Sequence, residues 1–149
     1  MTITETCVDV AASPEAVYAL ASATERWPLI LPHYRYVRVR ADGPVRTVEM
    51  AAWRGPFPLH WVAEQRNDAA VPHIAFRHLA GWTRGMDVEW QFERRGGSTR
   101  VTIVHRLAFA FPVAAEWLGK HVVSEFFIDG VARATLACMK RVAEAPAAS

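Results

Sequence analysis

The sequence predicts an α+β fold in which a seven-stranded, curved antiparallel sheet surrounds a long C-terminal helix. Three observations support this prediction. Two helix-start signals follow a first strand, six short strand-like segments come next, and a long apolar stripe with helical spacing ends the chain. The 149 residues are close to the usual size of one domain and suffice to bury one large core. We therefore expect a single domain spanning residues 1–149.

The first strand and two short helices are indicated by signals near the N-terminus. Polar and apolar residues alternate over Thr4–Val10, which is the two-residue period of a strand. Ser13 then supplies an N-cap, Pro14 suits the first helical position, and Glu15 places an acid in the first turn. A second start signal lies at Thr24–Pro28. Two short helices are thus predicted after strand one.

Turn-forming residues divide the middle of the chain into six further strands. Breaks rich in Gly, Pro and Asp lie at 42–44, 55–58, 68–72, 81–83 and 96–97. The predicted strands are Tyr34–Arg40, Val45–Trp53, Leu59–Asn67, His73–Leu79, Arg84–Glu93 and Ser98–Leu107. Connections this short imply an antiparallel meander.

A long helix is predicted from about residue 114 to residue 143, with apolar residues on one side and charged residues on the other. It is the only predicted element long enough to cover the apolar face of the sheet. Its inward stripe comprises Trp117, His121, Ser124, Ile128, Val131, Thr135, Met139 and Val142. We expect this stripe to face the inside of the curved sheet.

Composition excludes several classes of partner. The net charge is +2, and Lys and Arg are scattered without a dense basic run, so nucleic acid is not an expected partner. No stretch is long and apolar enough to cross a bilayer, and the N-terminus lacks the pattern of a signal peptide. Cys7 and Cys138 lie far apart, which indicates neither a disulfide framework nor a zinc site. We expect a cytoplasmic protein with no integral membrane contact, no metal and no cofactor.

Strand alternation selects the side chains that share the inner face of the sheet. In the strand that contains Val88 and Trp90, these two residues point inward while Asp87 and Glu89 point to water. Applied to every element, this reasoning gives a set of expected ligand-contacting residues: Trp27, Tyr34, Met50, Trp61, Ala63, Phe76, Met86, Val88, Trp90, Ile103, His121, Ser124 and Ile128. The aromatic members fit two interpretations, ordinary core packing and the wall of a ligand pocket.

Three polar residues of the strands, Gln65, His78 and His105, fall on the same inner face. A buried polar group without a hydrogen bond costs about 1–3 kcal/mol, so each is either satisfied by the protein or available to a ligand. Both interpretations stay open for His105, His78 and the helical His121. A metal site built from the three histidines has no supporting motif such as HExxH.

The order of elements resembles the helix-grip fold of the START-like superfamily. More narrowly, the chain resembles the polyketide cyclase/dehydrase and lipid-transport family, which includes aromatase/cyclases of bacterial aromatic polyketide pathways. The residues that carry this resemblance are Ala12–Tyr18, Glu25–Pro28, Tyr34, Trp61, Val88–Trp90 and Gly97–Val101. The resemblance covers nearly the whole chain and implies a small hydrophobic or polyketide-like ligand, with an acyl carrier protein as a candidate partner.

The resemblance suggests two functions. The first is a polyketide cyclase or aromatase-dehydratase acting on a poly-β-ketone-like chain, with His105 or His78 as general base and with Gln65 and Tyr34 as hydrogen-bond donors. In the cyclases, the position of Gln65 is matched by an inward arginine that is thought to steer the chain, and a neutral amide cannot supply that positive charge. The alternative is a non-catalytic protein that binds or transports a lipid, isoprenoid or quinone. The sequence specifies neither the ligand nor the oligomeric state.

Overall fold

The computed structural model describes residues 2–81, 83–107 and 128–146 of the chain. Its strands are β1 (Thr2–Val10), β2 (Tyr34–Ala41), β3 (Arg46–Arg54), β4 (Phe57–Asp68), β5 (His73–Gly81), β6 (Asp87–Arg95) and β7 (Ser98–Leu107). Its helices are α1 (Pro14–Ser22), α2 (Trp27–Ile30) and α3 (Asp129–Glu144), and a short 3-10 turn at Thr24–Arg26 precedes α2. The predicted α+β class and the two short helices after strand one are confirmed.

The seven strands form one antiparallel sheet in the order β1-β7-β6-β5-β4-β3-β2. Strands β2 to β7 are a meander, and β1 closes the far edge by pairing with β7 from Thr2 opposite Leu107 to Val10 opposite Thr99. Strands β1 and β2 therefore lie at opposite edges although they are neighbours in the sequence. The connection between them has to cross from one edge to the other, and α1 and α2 make this crossing.

Helix α1 begins as its sequence predicts. The Ser13 hydroxyl oxygen accepts a hydrogen bond of 3.2 Å from the Ala16 amide, and Pro14 occupies the first turn. Val17 and Ala21 turn inward and are fully buried. The cap and the apolar face thus fix both the start of the helix and its orientation.

Helix α3 covers the described part of the predicted C-terminal helix, and residues 114–127 of that prediction lie outside the described residues. Thr135 and Met139 of α3 are buried, while Arg133 on the opposite side is exposed. The helix is attached to β1 at two points. The Thr6 hydroxyl donates to Asp129 Oδ1 over 3.0 Å, and Lys140 Nζ donates to the Asp9 carbonyl over 2.6 Å.

Within the meander, two strands begin more than one residue away from their predicted starts. Strand β6 begins at Asp87 rather than Arg84, because the Arg84 amide donates to the Gly81 carbonyl and closes a turn before the strand. Strand β4 begins at Phe57, two residues earlier than predicted. Gly55 adopts a φ of 59°, so that Gly55 and Pro56 alone make the turn and Arg54 pairs with Phe57.

The outer face of the sheet is less polar and more covered than alternation predicts. Ala51 and Val104 point outward and are nevertheless buried, and Glu49 is only 6% exposed. Arg40 Nε and His60 Nε2 each lie 3.1 Å from the Glu49 carboxylate, and the hydrogen bond from Arg40 is the main reason why its pKa is lowered. Long side chains from neighbouring strands cover the shorter ones, which the two-residue period does not reveal.

A second carboxylate on the outer face, Glu89, joins β5, β6 and β7. It accepts a 2.8 Å hydrogen bond from Arg106 Nη1 and lies 2.8 Å from His73 Nε2. Hydrogen bonds from Arg106 and then from His73 lower the pKa of Glu89 from 4.5 to about 2, against the smaller opposing effect of burial. The folded protein therefore holds this group ionised at pH values where the unfolded chain protonates it.

We expect Glu89 to contribute acid-dependent stability. Because its pKa is depressed in the folded state, the contribution is present above pH 4.5 and is lost as the pH falls toward about 2. Its partners are more than a third exposed, so the contribution should be on the order of 1 kcal/mol. Urea unfolding of the parent and of Glu89→Gln at neutral pH and between pH 5 and about 2.5 measures it. The difference between the two curves should shrink as the pH falls, whereas Glu93→Gln, an exposed change on the same strand, should show no such trend.

Candidate functional site

A cavity of about 410 Å³ lies between the inner face of the sheet and the helices. This volume is in the range of small-molecule sites. The described residues that line it are Trp27, Tyr34, Met50, Pro58, Leu59, His60, Trp61, Phe76, His78, Gly81, Thr83, Met86, Val88, Trp90, Ile103, His105, Ile128, Val131, Ala132 and Thr135. Apolar and aromatic side chains dominate this set, and a few polar groups project among them.

Aromatic rings form one continuous wall of the cavity. Trp27, which α2 carries inward, lies 5.1 Å from Tyr34 and 5.7 Å from Trp90 between ring centroids. Tyr34 in turn lies 6.0 Å from Trp61 in an edge-to-face arrangement. Such contacts hold large side chains in fixed orientations, so the wall presents a defined shape to a ligand.

His78 is held in place on two sides. Its Nδ1 atom lies 2.7 Å from the Thr83 hydroxyl, and its ring stacks on Trp61 with a centroid distance of 5.7 Å and an angle of 9°. Burial, followed by the proximity of His105, lowers the pKa of His78 to about 3. The imidazole is therefore neutral near pH 7, with one nitrogen bound to Thr83.

His105 is the cavity histidine whose Nδ1 atom is unpaired. This atom is buried and has no hydrogen-bond partner among the described residues. Burial lowers the pKa of His105 to about 4, which Asp129 opposes by its negative charge. The indole N–H of Trp27 is likewise buried and unpaired within the described residues. Because buried polar atoms are normally hydrogen-bonded, these two atoms are the points at which a ligand could be recognised.

Tyr34, at the start of β2, and Thr135, in α3, add two hydroxyl groups to the cavity lining. Tyr34 is 7% exposed, and burial raises the pKa of its phenol, an effect that the Thr135 hydroxyl partly opposes. The phenol therefore stays protonated and can donate a hydrogen bond. Together with His78 and His105, it gives the described lining three buried titratable groups that are neutral at pH 7.

Gln65 does not line the cavity. Its Oε1 atom accepts a 2.7 Å hydrogen bond from Thr24, and its Nε2 atom donates 2.9 Å hydrogen bonds to the Ser22 carbonyl and to Asn67 Oδ1. Both amide N–H groups are used within the protein, and the residue is fully buried. These hydrogen bonds attach the α1–α2 connection to β4, and the contact with substrate that the cyclase resemblance implied for Gln65 stays a prediction.

Most of the other residues expected from the sequence come together around the cavity. Ala63 is an exception, since it is fully buried without lining the cavity. His121 and Ser124 lie outside the described residues. The candidate list also omitted lining residues: Pro58, Leu59, His60, Gly81, Thr83, Val131, Ala132 and Thr135. Val131 and Thr135 could have been selected from the helical stripe, whereas no periodic signal marks Thr83 in its turn.

Solved structures with the same architecture identify the class of fold. An aromatase/cyclase from a Streptomyces species superimposes with a TM-score of 0.84 at 18% identity, covering 96% of this chain and 93% of that protein. A START superfamily protein from Mycobacterium smegmatis gives a TM-score of 0.71 at 16% identity, covering 94% of this chain and 98% of the other. The fold is therefore the helix-grip fold of START-like proteins.

The chain belongs to the polyketide cyclase/dehydrase and lipid transport family, whose profile matches residues 10–140. A granaticin polyketide synthase bifunctional cyclase/dehydratase from Streptomyces violaceoruber is 31% identical over 110 residues. The aligned region covers 71% of this chain and 34% of that relative. The chain thus spans about a third of the length of the curated relative that it matches.

We expect Gln65→Leu to destabilise the protein by about 1–3 kcal/mol, because the buried Thr24 hydroxyl and the Ser22 carbonyl lose their partner. Urea unfolding measures the loss. Adding Thr24→Val should recover part of it, since removing both partners of a buried hydrogen bond costs less than removing one. A Gln65→Leu protein as stable as the parent would contradict the attachment role.

The two cavity histidines should respond differently to replacement by leucine. His105→Leu should keep or slightly increase the free energy of unfolding, because it removes a buried nitrogen that has no partner among the described residues. His78→Leu should lose roughly 1 kcal/mol because Thr83 loses its partner. Thermal unfolding of both variants checks this contrast. Equal losses in the two variants would mean that His105 has a structural partner.

Proposed function

We propose that this protein is a polyketide cyclase or aromatase-dehydratase that folds a poly-β-ketone-like chain in the cavity and removes water from it. The observation that carries the proposal is the combination of an aromatic-walled cavity of about 410 Å³ with three neutral proton-transfer groups, Tyr34, His78 and His105. Membership of the family and the similarity to the cyclase/dehydratase support the same reaction class.

The first task of such a cavity is to select one folded shape of a flexible chain. Ring closure between two carbons of one chain is accelerated when the reacting atoms are held close together. The aromatic wall formed by Trp27, Tyr34, Trp61 and Trp90 offers flat surfaces against which a nascent planar ring can lie. The indole N–H of Trp27, which has no partner within the described residues, would bind one carbonyl oxygen and fix the register of the chain.

The second task is proton transfer at the reacting carbons. His105 has a neutral imidazole, with Nδ1 unpaired within the described residues, that can accept a proton from the acidic carbon between two carbonyls. Its conjugate acid, formed in a buried site where a charge is disfavoured, is a strong acid and would return the proton readily to a leaving hydroxyl. Tyr34 would donate a hydrogen bond to the developing enolate oxygen.

His78 has a different place in this proposal. Because Nδ1 is bound to Thr83 and the ring is stacked on Trp61, its orientation is set before a ligand arrives. Its neutral ring would hydrogen-bond a carbonyl or hydroxyl group of the chain. Because the described lining contains no lysine, arginine, aspartate or glutamate, the ligand bound there would be uncharged. The substrate would be offered as a thioester, and an acyl carrier protein would be its natural donor.

A second candidate function is the binding or transport of a lipid, isoprenoid or quinone, which the apolar majority of the lining favours. The polar groups of the lining distinguish the two functions, because an enzyme needs the imidazoles for proton transfer and a carrier does not.

Among the described residues, no helix is long and apolar enough to cross a membrane. We place the protein in the reducing cytoplasm on the basis of its free cysteines, of which Cys7 is exposed.

The decisive experiment is turnover of a synthetic poly-β-ketone thioester of N-acetylcysteamine. Such chains cyclise without catalysis into mixtures, and we expect the protein to convert the mixture into one dehydrated aromatic product. His105→Leu should slow this reaction by roughly a hundredfold, as loss of a general base does, while the outer-face variant Glu93→Gln should match the parent. Chromatography of the products is the measurement.

The same experiment distinguishes an enzyme from a non-catalytic carrier. If the chain quenches the fluorescence of the cavity tryptophans but the products equal those of the protein-free reaction, the protein binds without catalysing. If a quinone or prenyl alcohol binds and the thioester does not, the cyclase proposal is rejected.

A further inference from the structure

We propose that the outer face of β2 and the end of β3 form the docking surface for an acidic carrier protein that delivers the ligand on a thioester arm. The surface consists of Arg35, Tyr36, Arg38 and Arg40 of β2 and Trp53 of β3, and we call it the arginine–aromatic patch. The inference rests on the proposed function, in which the chain is offered as a thioester. It goes further by assigning the donor a place on the molecule.

Positive charge is in excess on the arginine–aromatic patch. Arg38 Nη1 and Arg40 Nε lie 3.9 Å and 3.1 Å from the same carboxylate, that of Glu49. Glu49 is buried beneath them, while the two arginines are exposed. Arg35 is also exposed and has no carboxylate partner among the described residues. Three positive charges therefore face one negative charge, which leaves two in excess.

This excess is not a general property of the outer face. On strands β5 to β7, each of three arginines has a carboxylate of its own: Arg77 pairs with Asp87, Arg106 with Glu89 and Arg95 with Glu93. Those pairs leave no surplus charge. A local surplus of one sign attracts a partner surface of the opposite sign and orients it before contact. The arginine–aromatic patch is thus a place at which an acidic surface would be held.

The arginines of the patch are oriented before any partner binds. The guanidinium carbon of Arg38 lies 4.2 Å from the centroid of the Tyr36 ring, and that of Arg35 lies 5.0 Å from the centroid of the Trp53 ring. A register shift between Tyr34 and Tyr36 interrupts the alternation of β2, so that the consecutive residues Arg35 and Tyr36 both lie on the outer face. A guanidinium that stacks on a ring keeps its N–H groups available for carboxylates and loses less side-chain freedom on binding.

The patch adjoins the point at which the cavity reaches the surface. Pro58 and His60 line the cavity and are nevertheless exposed, so they mark its mouth. Trp53 lies opposite Pro58 in the sheet, and Tyr36, Ala51 and His60 form one row across β2, β3 and β4. The ring centroids of Tyr36 and His60 are 6.4 Å apart. A protein seated on the patch would therefore hold the base of its arm within about two strand spacings, roughly 10 Å, of the mouth.

The shape of the patch favours a protein over a small anion. Small ligands bind in concave sites that bury most of their surface, whereas this patch is the outside of a sheet. Arginine, tyrosine and tryptophan are the residues most enriched at the centres of protein interfaces. Trp53, which is 40% exposed, offers an apolar contact among the charges. Charge complementarity requires the facing surface to be acidic.

A comparison of two thioesters separates docking from chemistry. The N-acetylcysteamine thioester has no carrier protein, so its turnover should not depend on the patch. When the same chain is attached to the phosphopantetheine arm of an acyl carrier protein, we expect the double change Arg35→Glu and Arg38→Glu to lower kcat/KM roughly tenfold or more, mainly by raising KM. The double variant should turn over the N-acetylcysteamine thioester at the parental rate. Arg95→Glu, at an exposed arginine of β6, is the matched control and should equal the parent with both thioesters.

Two kinetic results would overturn the docking surface. Equal losses with both thioesters would mean that the double change acts on the cavity or on the fold. Parental kinetics with the carrier-bound chain would mean that the arginines only protect the edge strand from pairing with other sheets.

Binding of the carrier alone keeps this test separate from that of the proposed function. Fluorescence anisotropy of a labelled holo-acyl carrier protein, with no chain attached, measures the affinity. We expect the parent and Arg95→Glu to bind it, more weakly as NaCl rises from about 0.05 M to 0.5 M, and the double variant to bind roughly tenfold more weakly than the parent.

If the parent does not turn over the N-acetylcysteamine thioester, the proposed function fails, and the anisotropy experiment still decides on the docking surface. Weaker binding by the double variant than by Arg95→Glu supports it, and equal binding or no binding rejects it. Binding of the parent to phosphatidylglycerol vesicles but not to the carrier would assign the patch to a membrane surface and would also overturn the proposal.

Discussion

The buried amide of Gln65 is the interaction on which the cavity most depends. Strands β1 and β2 lie at opposite edges of the sheet, so the segment between them must cross over. Gln65 binds this segment at the Ser22 carbonyl and the Thr24 hydroxyl, immediately before α2. Helix α2 then carries Trp27 into the cavity, and Tyr34 begins β2 four residues after the helix ends. An amide is well suited to this role because it donates and accepts at the same place without a charge to desolvate.

Desolvation also determines the chemistry that the cavity can perform. The same burial that holds His78 and His105 in their neutral forms holds Tyr34 in its protonated form. A cavity of this kind cannot stabilise a charged intermediate with a fixed cation, as an arginine would. It can move protons between neutral groups and arrange hydrogen-bond donors around carbonyl oxygens. A neutral glutamine at residue 65 is therefore consistent with the described lining of the cavity, in which the proton-transfer groups Tyr34, His78 and His105 are neutral.

The fold was largely predictable from the sequence, and the site only partly. Two periodicities, turn residues and one helix cap were sufficient for the order of elements, because each depends on local chemistry. The inner-face aromatics followed from alternation for the same reason. Gln65 was assigned to the right face, but its role depends on the Ser22 carbonyl, a backbone atom more than forty residues away along the chain. The two-residue alternation predicts which face of the sheet a side chain occupies, but it does not predict which residues contact that side chain.

The residues that the sequence did not reveal share one property, since their roles arise from contacts between distant elements. Thr83 becomes important because a turn brings it within 2.7 Å of His78, and Glu49 is buried because Arg40 and His60 lie over it. Thr135 was visible on the helical stripe, yet its partner His33 is 102 residues away.

This pattern bears on the choice between an enzyme and a carrier. An apolar cavity needs only bulky residues at inward positions, and local periodicity supplies these. Polar atoms arranged in the described part of the cavity require specific long-range partners, such as His33 for Thr135. A pure carrier gains nothing from such partners, because an apolar group at the same position would bind an apolar ligand better and avoid the cost of burying a polar atom. The presence of imidazole and hydroxyl groups in the described lining therefore favours a ligand with oxygen atoms on which these groups act.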